Sequence, residues 1–176
     1  MQYRRVDHPE IFSFQSDVTS GFDFNSNALL ITPSVRINRG LFASDLRYHY
    51  THDVTDALNV IDWQVLKLRL PISNFKVEYG IGFSHIFDPS KTYFEQSLGF
   101  DWCFLKRKTT VQGEYRWTQS TNIGERFRKE ASVTGDYEIK RIDQLSICPT
   151  LGFVYQNFFE STRFRFFRAG LRIRIY

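Results

Sequence analysis

Apolar residues return at every second position along this chain, in ten successive stretches that are each long for a β-strand. The stretches are 11–24, 28–38, 41–51, 58–70, 75–87, 93–105, 109–119, 127–140, 142–156 and 163–176. A two-residue period sends alternate side chains to opposite faces of a strand, so each stretch has one apolar and one polar face. Helical spacing is hard to find, and no window approaches the roughly 18 consecutive apolar residues of a membrane helix. Turn-forming residues punctuate the stretches, among them Asn38-Arg39-Gly40, Ser73-Asn74, Asp88-Pro89-Ser90, Lys106-Arg107-Lys108 and residues 120–124.

Splitting the stretches by phase separates two populations. Apolar faces include Phe12, Phe14, Val18, Phe22 and Phe24 in the first stretch, and Phe75, Val77, Tyr79, Ile81, Phe83, His85 and Phe87 in the fifth. The sixth contributes Phe94, Leu98, Phe100, Trp102 and Phe104; the eighth Phe127, Lys129, Ala131, Val133 and Tyr137. The opposite faces carry Arg36, Asp45, Arg47, Lys67, Arg69, Lys76, Glu78, Asp101, Glu114, Arg116, Glu130, Asp136, Arg168, Arg172 and Arg174. With Asp17, Asp23, Glu95, Arg128, Glu138, Lys140 and Asp143 they hold eleven bases and eleven acids. Balanced charge on one face predicts an ion-paired network inside a narrow lumen.

Composition narrows the classes. At 17% aromatic the chain is too apolar for disorder, and two cysteines in 176 residues make no disulfide scaffold. A net charge of +4 with one tight basic run, at 106–108, is not the footprint of a nucleic-acid binder. No apolar run follows Met1–Arg5, so no secretory signal peptide is expected within the chain.

Which face lies inside decides between a soluble and a membrane barrel. Strands that span a bilayer need about 9–11 residues, whereas soluble strands usually have about 5–6. Aromatic side chains near both ends of the stretches suit the two membrane–water interfaces. A soluble ligand-binding barrel, the alternative, would have to pack Phe, Tyr and Trp from ten strands into one overfilled lumen. The expectation is therefore an all-β, transmembrane antiparallel up-and-down barrel over 11–176, of about ten strands (eight being possible), after a periplasmic lead-in over 1–10. An even strand number puts both termini on one side, with the short connections 38–40, 71–74, 106–108 and 140–142. Connections 51–57, 88–92 and 120–126, on the other side, are longer.

In this pattern the chain resembles the small bacterial outer-membrane β-barrel proteins over nearly its whole length. The last strand, Phe167 to Tyr176, resembles the signal that barrel-assembly machineries recognise, with Gly170, Ile173, Ile175 and Tyr176 as its elements. Tyr176 departs from the usual bacterial form by lying on the arginine face. The run Arg168-x-Gly170-x-x-Ile173-x-Ile175 is also similar to the signal of mitochondrial barrels. The resemblance implies an outer-membrane location, bacterial rather than organellar. It also implies membrane lipids, the assembly machinery and other membrane proteins as partners. A ten-stranded barrel is too narrow for a general porin. The expected role is structural, or that of an interacting or assembly component, without cofactor or metal.

Two enzymatic signals stand beside this reading. A two-residue turn at Ser73-Asn74 would place His85 opposite Asp62 on the outward face, near the loop-side rim, as the acid–base pair of a lipid-modifying enzyme. Segment four, however, changes phase: Ile61, Trp63 and Val65 occupy what should be lumen positions. A bulge near Val65-Leu66 would turn Asp62 inward and remove that pair. His49, His52 and Asp53 read as solvated loop residues rather than metal ligands. Cys103 and Cys148 fall on the polar face of strands that are not neighbours, and read as two lumen-filling thiols. Arg126, Arg128, Lys129, Arg163 and Arg165 form a basic rim suited to lipid phosphates.

Overall fold

A computed structural model describes residues 12–53, 57–72, 74–105, 108–119 and 127–176. Alternating sequence becomes strand throughout, in the order β1 (Ser13–Asp23), β2 (Ala28–Arg39), β3 (Phe42–His52), β4 (Ala57–Ile72), β5 (Phe75–Ile86) and β6 (Lys91–Phe104). There follow β7 (Thr109–Gln119), β8 (Arg128–Tyr137), β9 (Lys140–Ile142), β10 (Leu145–Phe158) and β11 (Thr162–Ile175). Each strand pairs antiparallel with its neighbours, and β1 closes on β11 from Phe14 opposite Ile175 to Phe22 opposite Phe167. The result is a closed ten-stranded barrel, with β9 as one short extra strand. The lead-in over 1–10 lies outside the described residues.

The barrel is inverted relative to a soluble one. Val18, Leu46, Leu68, Phe83, Leu98, Val133, Leu151 and Phe167 all stand exposed on the outer wall. Arg47, Asp62, Lys67, Glu95, Arg116, Arg128 and Glu130 are buried inside. The barrel strands run from 10 to 16 residues. At about 3.3 Å per residue each is long enough to cross a hydrocarbon layer.

Two expectations need correction. Residues 140–142 are not a simple turn. They form β9 and pair with Leu145–Ile147 across a turn at Asp143-Gln144, which moves the start of the next strand from 142 to 145. Asp143 takes φ = 51°, a left-handed conformation that a short polar side chain tolerates. Phe127, read as outward, is fully buried inside the loop-side end.

The phase slip in segment four is a bulge in β4. Trp63 pairs with Phe83 and Leu66 with Ile81, so Gln64 and Val65 together face Gly82. A bulge crowds the partner strand, and here only glycine fits. A Cβ on Gly82 would lie 2.0 Å from the Trp63 carbonyl oxygen and 2.6 Å from Gln64 Cα. Gly170 serves the closing seam in the same way, where a Cβ would lie 2.2 Å from the Val18 carbonyl oxygen.

Gly82→Ala should therefore cost about 3 kcal/mol or more, at the high end for single substitutions. Gly135→Ala, whose Cβ would meet nothing closer than 3.9 Å, should be tolerated. The heat-dependent gel mobility of the folded barrel reads both outcomes.

Candidate functional site

The bulge decides what the lumen contains. By shifting the inward phase of β4, it places Asp62 and Gln64 inside together with Lys67 and Arg69. Asp62 has no solvent exposure and binds four groups. Arg128 Nη2 donates to Oδ2 at 2.6 Å and Arg47 Nη2 at 3.0 Å. His49 Nε2 lies 3.0 Å from Oδ2, and Ser84 Oγ donates to Oδ1 at 2.7 Å. A buried carboxylate is costly unless paired and fully hydrogen-bonded, and these partners meet that condition.

From Asp62 the lattice spreads across the barrel. Arg128 Nη2 also reaches Glu95 Oε2 at 2.6 Å. Arg116 contacts Glu95 at 3.2 Å, Asp45 at 2.8 Å and Glu114 at 2.8 Å. Lys67 pairs with Glu114 at 2.6 Å and Asp45 at 3.1 Å. Arg47 spans to Glu130 at 2.6 Å, a partner 83 residues away in sequence. Towards the termini, Glu78 holds Arg36 and Arg69, and Asp136 holds Arg172 and Arg174 at 2.6 Å each. Among the described residues Lys76, Asp101 and Arg168 make no ion pair within 4.0 Å. The other twelve network residues expected from sequence all do, and the lattice also takes in Asp17, Asp62, Glu95, Arg128 and His49.

Above the lattice, on the loop side, the lumen changes character. Leu30, Val60, Ile86, Tyr93, Phe127, Val154, Phe158, Phe164 and Phe166 pack there as a buried apolar layer. Tyr93 stacks on Phe127 with ring centres 4.7 Å apart, and Phe127 meets Phe158 at 5.5 Å. Sequence reasoning did not anticipate this layer. The signal was there: at the loop-side ends of several strands the polar phase turns apolar. Below the lattice, on the terminal side, a polar cavity of about 80 Å³ remains.

The outward His85–Asp62 pair does not form. His85 lies opposite Ile61 and outside, where its Nδ1 sits 2.8 Å from Thr92 Oγ1; Asp62 lies opposite Ser84 and inside. The bulge shifts the register by one residue and puts the two on opposite faces of the wall. Arg128, inward in the regular phase of β8, serves the lattice rather than the basic rim. Of the other rim residues, Lys129 bonds Glu160 at 3.0 Å, Arg163 and Arg165 are exposed, and Arg126 lies outside the described residues. His49 is buried inside rather than solvated. Cys103 and Cys148 are both free thiols, Cys148 fully buried.

Removing Asp62 leaves two guanidiniums short of a partner. Asp62→Asn should destabilise the barrel by about 3–5 kcal/mol, the usual cost of breaking a buried pair on one side. His85→Ala should stay within about 0.5 kcal/mol. Urea titrations of barrels refolded in detergent measure both.

No known family model matches this chain, and no curated relative matches it either. Solved structures similar to it include a de novo designed protein, TMB2.3, at 15% identity, covering 100% of this chain and 99% of that one, with a TM-score of 0.41. The KdgM porin is 10% identical over 93% of this chain and 98% of its own, with a TM-score of 0.42. CdiB from Acinetobacter baumannii is 11% identical over 93% of this chain and 35% of its own, with a TM-score of 0.44.

Proposed function

We propose that this chain is an integral outer-membrane β-barrel with a closed lumen, acting as a structural or interaction component rather than as a wide pore. The observation that carries the proposal is the inversion of the wall: large apolar side chains cover the outside while a paired ionic lattice fills the inside. Water is a poor solvent for such an exterior and hydrocarbon a good one. Outward aromatics support the same placement. Phe22, Phe24, Phe153 and Phe167 form a chain of ring contacts near the loop-side end, with centroids 5.1–6.4 Å apart. Phe75 with Phe100 and Trp102 with Phe104 do so near the terminal-side end. We assign these to the two interfacial girdles.

Closure follows from two stacked barriers. An ion crossing the lumen would meet the lattice, whose charges are neutralised by one another, and then the apolar layer, which offers it no ligands. The C-terminal strand, with Gly170 at the seam and Ile173 and Ile175 on the outer wall, is the segment an assembly machinery would read. Membrane lipids are the partners of the outer wall, and neighbouring membrane proteins the candidates for a larger assembly.

Two measurements test this. Leu98 lies exposed near the middle of β6, so Leu98→Arg should weaken folding into phospholipid vesicles by about 2–4 kcal/mol; a chain stable and monomeric in detergent-free buffer would end the membrane reading. In planar bilayers the wild-type barrel should give little or no steady current, and a large constant conductance would end the closed-lumen reading.

A further inference from the structure

The cavity below the lattice has a feature that pairing does not explain. Its lining carries six bases and five acids, one positive charge in excess. Of the six bases, Arg168 is the one without an ion pair among the described residues. This guanidinium donates to Thr134 Oγ1, and among the described residues no carboxylate pairs with it. Both of its cross-strand neighbours are glycines, Gly21 on β1 and Gly152 on β10, so no side chain stands directly opposite it, and the carboxylates that attract it, Glu130 and Asp17, lie beyond ion-pair distance. Asp101, the carboxylate lacking an ion pair, differs in this respect, because Lys76 stands directly opposite it in the register.

Donors without acceptors gather in the same place. The Nε atoms of Arg168, Arg172 and Arg47 and the hydroxyl of Thr32 are buried without a hydrogen-bond partner, and all four residues line this cavity. Water can accept from the part-exposed Arg168 guanidinium but cannot offset its charge. A single negative charge does both.

We propose that the terminal-side cavity is a binding site for one small monovalent anion of chloride size, held by the part-exposed guanidinium of Arg168. The free volume of about 80 Å³ admits such an ion with part of its hydration. Among the described residues the apolar layer lies between this site and the loop side. The inference rests on the closed-lumen reading, and makes the lumen a pocket with one mouth rather than a conduit.

Chloride-35 NMR line broadening on the barrel refolded in detergent tests the site without reference to conductance. Wild type should broaden the chloride signal saturably, at one site per chain. Bromide, a monovalent halide of similar size, should compete, and gluconate, a large polyhydroxylated anion, should not. Arg168→Gln should bind roughly tenfold more weakly or worse. Arg168→Lys, a milder change that keeps every charge, should weaken binding by a smaller factor, and Lys129→Gln on the exterior should leave it unchanged. Non-saturating broadening, competition by gluconate, or unaltered binding in Arg168→Gln each overturns the proposal. A barrel that conducts yet binds chloride through Arg168 would overturn closure and keep the site. A silent barrel without saturable binding would do the reverse.

Discussion

The interior of this barrel depends on one carboxylate being satisfied. Asp62 has no contact with solvent, and Arg47, Arg128, His49 and Ser84 converge on it from β3, β8 and β5. Arg128 then commits Glu95, Glu95 engages Arg116, and Arg116 ties in Asp45 and Glu114. Because each group is buried, none can lose its partner cheaply. Strands that are distant in sequence are thus held at one spacing across the lumen, which backbone pairing around the wall cannot do by itself.

That arrangement rests in turn on a local irregularity. An unbroken β4 would keep either its upper or its lower half in phase with the barrel, but not both. Inserting Gln64-Val65 opposite Gly82 lets Ile61 and Trp63 face outward while Lys67 and Arg69 still face inward. The bulge therefore acts as a phase corrector, and Gly82 is the residue whose missing side chain makes room for it.

Most of the fold is legible in the sequence because the two-residue period runs through the body of every long strand except β4. Twelve of the fifteen expected network residues do form ion pairs, since inward phase and charge together leave little choice. The bulge could be read as a conflict between Ile61-Trp63 and Leu66-Leu68, with both outcomes for Asp62 open. What resisted reading was pairing across the lumen: nothing local connects Arg47 to Glu130. The apolar layer resisted too, because Leu30, Tyr93 and Phe164 each look like a single lapse in an otherwise polar phase, and only the closed barrel brings them together. Phe127 was misassigned at a strand entrance, where the chain has not yet adopted the alternation of Arg128–Tyr137.

The two ends of the lumen also differ in what they demand of a membrane during insertion. For a chain that enters a bilayer from one side, the loop-side end has to travel through hydrocarbon while the terminal side stays behind. At that leading end both faces of several strands are apolar, as in Leu29 beside Leu30 and Phe166 beside Phe167. The charged rows trail towards the terminal side and need not meet lipid before the wall has closed around them. For such a chain the axial gradient of polarity inside the barrel sets a direction of travel, and the residues that set it are those of the apolar layer.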